Sequence, residues 1–265
     1  MSWPSRACRA AVRMMQPLVP RDHDAFTILA YHLVGGGSDT PVDLPVAVFE
    51  SQLTELQDTA RVCSLDDALG LENAPADPRP TVVLTFDDGF DNFRTTAWPL
   101  LEKLNLPCTF YVPVGFVERT SRSPLTGADG LAPIEWTALR ALASSPLLTV
   151  GSHSWSHRDL RRLGAAELRA DLRRSRERLE DRTGHAAAHF CYPQAKRSRA
   201  TDLAVRECYR SAVVAGGRSN VAGRLEPYRL WRVPIRRDMP VRLQQVVRSS
   251  VWLEEWAASH ARALT

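Results

Sequence analysis

Two short segments carry the residue types that metal-assisted hydrolysis needs. Thr85-Phe86-Asp87-Asp88-Gly89 sets two carboxylates side by side directly after an apolar run. Adjacent carboxylates at the end of a buried strand are costly unless something compensates them. A metal can bind one and lower its pKa, leaving the other free for proton transfer. The plainer reading is that Asp-Gly after a strand is ordinary turn chemistry. Val150-Gly151-Ser152-His153-Ser154-Trp155-Ser156-His157 also follows an expected strand. Histidines four residues apart meet one ion if the backbone makes a helical turn. The plainer reading there is a chance pair on a surface loop.

Together the segments supply one carboxylate of the Asp87-Asp88 pair with His153 and His157 as ligands, and the other carboxylate to spare. A two-His, one-carboxylate site keeps positions open for water or substrate. It suits a hydrolytic zinc centre, and the same set holds Fe(II) in oxygenases. A base beside activated water is what amide cleavage requires, so the spare Asp favours hydrolysis. No HExxH stretch is present, so a zincin protease is not indicated.

The elements that must position these residues alternate in type. Phe26–Tyr31 reads as a first strand, and Thr81–Phe86 is a continuous β-branched, apolar run suited to a strand buried on both faces. Cys108–Val112, Leu147–Gly151, His189–Tyr192, Ser211–Val214 and Arg232–Ile235 read as further strands. Between them, Val48–Asp58, Trp98–Leu104 and Glu135–Ala143 read as helices. Leu168, Leu172, Ser175 and Leu179 recur at helical spacing up to Gly184. The stretches 74–80 and 119–133 are rich in Pro or Gly and read as loops. Strands alternating with helices imply a parallel sheet with crossover helices, and their number suggests a single-domain α/β barrel. In such barrels chemistry gathers at the carboxyl ends of the strands.

Length and composition are compatible with this. The chain has 265 residues, 44% of them apolar, enough for a substantial core. A formal charge of +4 is too small to argue for nucleic acid. The arginines of 169–182 are interspersed with acids and read as a solvated helix face. Five cysteines, none in a CxxC pair, suggest neither a disulfide framework nor a thiolate zinc site, with Cys108 and Cys191 as buried thiols. Cysteine usage suits a reducing compartment, and residues 1–24 lack an unbroken apolar core, so a cytoplasmic location is expected. No run approaches the length of a membrane helix. The expected organisation is a flexible or peripheral arm over 1–24 and a catalytic domain over 25–265, with the oligomeric state left open.

TFDDG followed by HSWSH resembles the polysaccharide deacetylases of carbohydrate esterase family 4, over roughly residues 26–240. Ala30-Tyr31-His32 and Phe190-Cys191-Tyr192-Pro193 are similar to the branch that often serves extracellular-polysaccharide pathways. The resemblance implies a deformed (β/α)7 barrel that removes N-acetyl groups from sugars. It implies a divalent metal, usually zinc, on Asp88, His153 and His157, with Asp87 as base. It also implies that Arg232 orients the base and that the backbone N–H of Gln194 stabilises the oxyanion. Tyr192, Pro193, Trp155 and His32 become candidates to line the sugar site, Trp155 having packing as its alternative role. N-acetylated carbohydrate is the implied partner.

Two positions depart from the family pattern. Its third motif continues Pro-aromatic-Gly, whereas this chain has Pro193-Gln194-Ala195. Its Leu-x-His motif, source of the general acid, has no counterpart, since the one histidine after Arg232 is His260. His32 reads either as a structural histidine near the rim or as a group reaching the barrel mouth. Two other readings stay open: hydrolysis of a cyclic amide, and a barrel that binds glycan without activity.

Overall fold

The computed structural model describes residues 25–70, 77–216 and 219–239, with positions 243 and 247. The arm over 1–24, His260 and the first part of the 74–80 loop lie outside the described residues. The strands are β1 (Ala25–Tyr31), β2 (Leu33–Val34), β3 (Asp43–Leu44), β4 (Arg61–Val62), β5 (Thr81–Phe86), β6 (Cys108–Val112), β7 (Leu148–Ser152), β8 (His189–Cys191), β9 (Ser211–Ala215), β10 (Asn220–Val221) and β11 (Leu230–Pro234). The helices are α1 (Val46–Thr59), α2 (Leu65–Leu69), α3 (Trp98–Lys103), α4 (Val114–Val117), α5 (Trp136–Ala143), α6 (Ala165–Thr183) and α7 (Arg199–Cys208).

Strands β1, β5, β6, β7, β8, β9 and β11 pair in parallel in that order, and β11 pairs back onto β1. The ring is the expected seven-stranded parallel barrel. Its distortion is visible at the β7–β8 seam, where only Ser152 and Phe190 are in register. β4 extends the edge of β5, and β10 runs antiparallel to β1.

Side-chain alternation sorts the strand residues into two cores. Leu29, Tyr31, Leu84, Phe86, Phe110, Val112 and Val150 face outward under Phe49, Leu53 and Leu56 of α1, Leu139 of α5 and Leu179 of α6. Phe190, Tyr192, Ala212 and Val214 face outward under α6 and α7. The alternate positions Ile28, Val83, Tyr111, Cys191, Val213 and Leu230 fill the ring. A period of two carries the inward row onward from Val83 to Thr85 and Asp87, from Gly151 to His153, from Leu230 to Arg232 and from Ile28 to His32. Asp87, His153 and His32 are thus inward positions just past the ends of their strands, and Arg232 is an inward position within β11.

Gly151 makes room for that interior. A Cβ there would lie 2.5 Å from the Tyr111 ring. Gly151→Ala is expected to cost about 1–3 kcal/mol through overpacking, read as a lower denaturation midpoint. An unchanged midpoint would show that the ring has somewhere to move.

Some boundaries differ from the sequence reading. A π-helical turn over Phe93–Ala97 precedes α3. Helix α7 was not anticipated, although Ser198 and Thr201 form a capping box at its start. Gly184 does close α6, in the left-handed conformation at φ 79°. No helix among the described residues is long and apolar enough to cross a membrane.

Candidate metal and catalytic site

Three ligand atoms converge above the ring. Asp88 Oδ1 lies 3.6 Å from His153 Nε2 and 3.5 Å from His157 Nε2, and the two Nε2 atoms are 3.2 Å apart. A tetrahedral ion with bonds of about 2.0–2.1 Å needs ligand atoms roughly 3.3–3.4 Å apart. The observed triangle matches that spacing.

The backbone reaches this triangle through unusual conformations. Asp88 sits at φ 77° and Gly89 at φ 69°, which turns the Asp88 carboxylate out of the strand alternation and toward the histidines. The histidines do not meet through a helical turn, as their spacing suggested. Ser154 at φ 65° and His157 at φ 50° fold the segment into a loop instead. The imidazoles contact edge to face with centroids 4.6 Å apart.

Protonation also suits a cation. His153 Nδ1 lies 2.9 Å from the Cys191 carbonyl oxygen, so Nδ1–H donates and Nε2 keeps its lone pair for the triangle. Burial lowers the pKa of His153, and burial with the neighbouring His153 charge lowers that of His157. Neutral imidazoles are the form that binds metal. Burial, reinforced by the adjacent Asp87 charge, pushes the Asp88 carboxyl well up. A buried carboxylate without its own cation is unfavourable, and the donor set therefore fits a divalent ion.

Asp87 has the opposite environment. Arg232 donates Nη1–H to Oδ1 and Nη2–H to Oδ2, each at 2.7 Å. The same guanidinium reaches Thr85 Oγ1 at 3.0 Å and Cys191 Sγ at 2.9 Å. Burial alone would raise the Asp87 pKa, but the Arg232 charge and hydrogen bonds override it and hold it well below the usual range. Asp87 is ionised and fixed in orientation. Asp87, His153 and Cys191 form a second cluster of potential ligands. Arg232 lies against two of those three donors, and its charge opposes a cation there, so Asp88, His153 and His157 are the better-suited candidate set.

The remaining candidates separate. His32 Nε2 lies 3.8 Å from Asp87 Oδ2, and its Nδ1 is buried without a hydrogen-bond partner. Burial pushes its pKa down to about 4 despite the Asp87 charge, so the ring is neutral. Gln194 and Ala195 follow β8 at φ 57° and 55°, and the exposed Gln194 side chain bonds Lys196 Nζ at 2.6 Å. Pro193 is buried in the same turn. Tyr192 does not fit a sugar-contacting role. Strand alternation turns it outward, and its hydroxyl donates to Asp202 Oδ1 at 3.0 Å on α7. Trp155 faces α6, with the Arg174 guanidinium 4.1 Å from its ring centroid. It borders a cavity of about 250 Å³ with Arg174, Glu177, Arg178 and Asp181. Cys191 was legible only as a buried thiol, yet its Sγ faces the site, 3.6 Å from Asp87 Oδ2. The alternation of Phe190, Cys191 and Tyr192 is the signal that places it inward.

A family model described as "Polysaccharide deacetylase" matches residues 74–212, just over half of the chain. The chain belongs to the polysaccharide deacetylase family. Over 84 residues it is 34% identical to poly-beta-1,6-N-acetyl-D-glucosamine N-deacetylase of Escherichia coli strain K12, an alignment covering 30% of this chain. The chain spans only 12% of that relative's length. Among solved structures, Streptococcus pyogenes deacetylase PplD in complex with acetate superposes with a TM-score of 0.72 at 21% identity, covering 84% of this chain and 98% of that one. IcaB from Ammonifex degensii gives 0.68 at 21% identity, covering 87% and 97%. These two likenesses establish the barrel as shared. Within this deacetylase-family barrel, the matched segment holds Asp87, Asp88, His153, His157 and Cys191. His32 and Arg232 lie outside it and reach the site because β1 and β11 close the ring.

Proposed function

We propose that this protein hydrolyses the acetamide of N-acetylated amino sugars within a glycan or polysaccharide precursor. The observation that carries the reading is the Asp88–His153–His157 triangle beside an ionised, Arg-clamped Asp87. In this proposal residues 25–265 form the catalytic unit. Unbonded cysteines at 63, 108, 191 and 208 support a reducing, cytoplasmic setting.

A divalent cation on Asp88, His153 and His157, Zn²⁺ in our reading, would polarise the acetamide carbonyl and acidify a water. Asp87 accepts the proton of the attacking water, with Arg232 fixing the direction of its lone pairs. The backbone N–H of Gln194, at the turn after β8, is our candidate donor to the developing oxyanion. His32 stands 3.8 Å from Asp87 Oδ2 and gives the proton a route toward the departing nitrogen. That placement supplies a candidate for the donor that the absent Leu-x-His motif leaves open.

Acetate release from β-1,6-linked N-acetylglucosamine oligomers, with Zn²⁺ or Co²⁺ present, tests the activity. A metal-loaded chain that releases no acetate from these or from β-1,4-linked oligomers would overturn the reading and turn attention to glycan binding. His32→Gln is expected to lower kcat by about 10²-fold or more with little change in KM, the range of a lost proton-transfer group. Turnover within twofold of wild type would return His32 to a structural role.

A further inference from the structure

The loop between the two metal histidines is held from outside by a residue that belongs to none of the motifs. Following its backbone N–H groups in order makes this visible. His153 N–H donates to the Val112 carbonyl at 3.0 Å, extending the β6–β7 ladder. Ser154 N–H reaches Ser152 Oγ, His157 N–H reaches Ser154 Oγ and Arg158 N–H reaches Ser156 Oγ, all within the loop itself. The two N–H groups at the tip go elsewhere. Trp155 N–H donates to Asp171 Oδ1 at 2.8 Å, and Ser156 N–H donates to Asp171 Oδ2 at 3.1 Å.

Asp171 lies in the second turn of α6 and is only 8% exposed. It points inward from the same helix face as Leu168, Leu172 and Ser175. A buried carboxylate accepting two backbone N–H bonds makes charge-assisted contacts, stronger than neutral ones. Its neighbours on α6 grip the same loop. Ser175 Oγ lies 2.8 Å from Ser152 Oγ, and Arg174 covers the Trp155 ring. On the opposite side, Val114 N–H and Gly115 N–H donate to the Ser154 and Trp155 carbonyls at 3.2 and 2.8 Å. The loop needs such a hold, because Ser154 and His157 sit at φ 65° and 50°, conformations that L side chains rarely adopt.

We propose that Asp171 is a positioning residue for the metal centre: it fixes the strained loop so that His157 Nε2 stays within ligand distance of His153 and Asp88. The inference rests on the reading of Asp88, His153 and His157 as metal ligands. His153 is held independently by its Nδ1–H bond to the Cys191 carbonyl and by the β6–β7 ladder. Among the described residues, His157 has no comparable anchor other than the loop. Loss of Asp171 therefore loosens one ligand of three and leaves the barrel and Asp87 in place. Groups that orient ligands control metal affinity by about 10–100-fold.

The test is the affinity of the full-length apoprotein for Zn²⁺, measured by competition with a chromophoric chelator. It is run on wild type, Asp171→Ala, Asp171→Asn and, as a control on the same helix, Arg169→Ala. Arg169 makes an exposed pair with Glu207 and touches nothing in the loop. Asp171→Ala is expected to bind Zn²⁺ about 10–100-fold more weakly. Its kcat at saturating Zn²⁺ should stay close to wild type, and Arg169→Ala should match wild type throughout. Asp171→Asn preserves the volume and one acceptor oxygen, so an intermediate loss is expected. It also provides the reading if the alanine variant does not fold. The visible spectrum of the Co²⁺-loaded chain gives a second readout, which should shift in the Asp171 variants and not in Arg169→Ala. Wild-type Zn²⁺ affinity in a folded Asp171 variant overturns this inference alone. A wild-type chain that takes up no Zn²⁺ overturns it together with the metal reading beneath it.

Discussion

Asp87→Asn is expected to lower turnover by about 10²–10⁴-fold, the range contributed by a positioned general base, while Zn²⁺ binding persists. The amide keeps the shape of the side chain and one acceptor oxygen for Arg232. It removes the carboxylate oxygen that takes the proton from water in the proposed mechanism. Because Asp88, not Asp87, belongs to the ligand triangle, the metal stoichiometry should not change. A stability effect accompanies the loss of activity. Arg232 is 3% exposed and has its guanidinium bonded to Asp87 at two points. Breaking a buried pair from one side typically costs about 3–5 kcal/mol, because a charge is left without its partner. The double variant Asp87→Asn, Arg232→Met removes both charges and should recover part of that stability with no recovery of turnover. Acetate release and a denaturant midpoint, measured on the three proteins, separate the two effects. Asp87→Asn with more than a tenth of wild-type turnover would remove Asp87 from the role of base.

The division of labour between the two adjacent carboxylates was open in the residue pattern itself and was assigned only by the family resemblance. Thr81–Phe86 announced itself as a buried strand, and a strand of that kind in an alternating chain implies a barrel with its chemistry at the carboxyl ends. What the residues alone could not reveal was which carboxylate each partner would choose. That depends on Arg232, 145 positions away in sequence, and on a positive φ at Asp88 that swings its side chain out of register with Asp87. The same limit hid Cys191. Its surroundings in sequence are apolar, so it read as core, whereas the period of two places its Sγ beside Asp87. Tyr192 was misplaced for the matching reason, since the residue after an inward position must face outward. Spacing also misled at the histidines. A gap of four suggested a helical turn, and the chain achieves the same convergence with a loop tied to α6. Local pattern thus located the strands, and the contacts that decide chemistry came from the packing of neighbouring strands and, for Arg232, from closure of the ring.

His153→Ala should be the most damaging of the ligand substitutions, and the geometry says why it should exceed His157→Ala. His153 is 3% exposed, and its ring is fixed at both nitrogens: Nδ1 on the Cys191 carbonyl, and Nε2 within 3.2–3.6 Å of the other two ligand atoms. His157 sits at the rim of the triangle, its side chain 10% exposed, on the loop that Asp171 restrains. Removing His153 therefore takes away the preorganised donor at the centre. Removing His157 takes away the one whose place a water can most readily fill from the open side. Zn²⁺ affinity of His153→Ala is expected to fall by more than the roughly 10–100-fold that orienting groups control, with acetate release lost to the level of the chelator-treated wild type. His157→Ala should retain measurable Zn²⁺ binding and a low, metal-dependent turnover that rises with added Zn²⁺. Chelation of the wild type should abolish turnover, and readdition of Zn²⁺ should restore it without refolding, because the triangle is held by strands and hydrogen bonds that do not require the ion. Tight stoichiometric Zn²⁺ binding by a folded His153→Ala protein would show that the ion sits elsewhere. In that case the convergence of Asp88, His153 and His157 would have to be explained by packing alone, against the cost of burying a carboxylate that pairs with no lysine or arginine among the described residues.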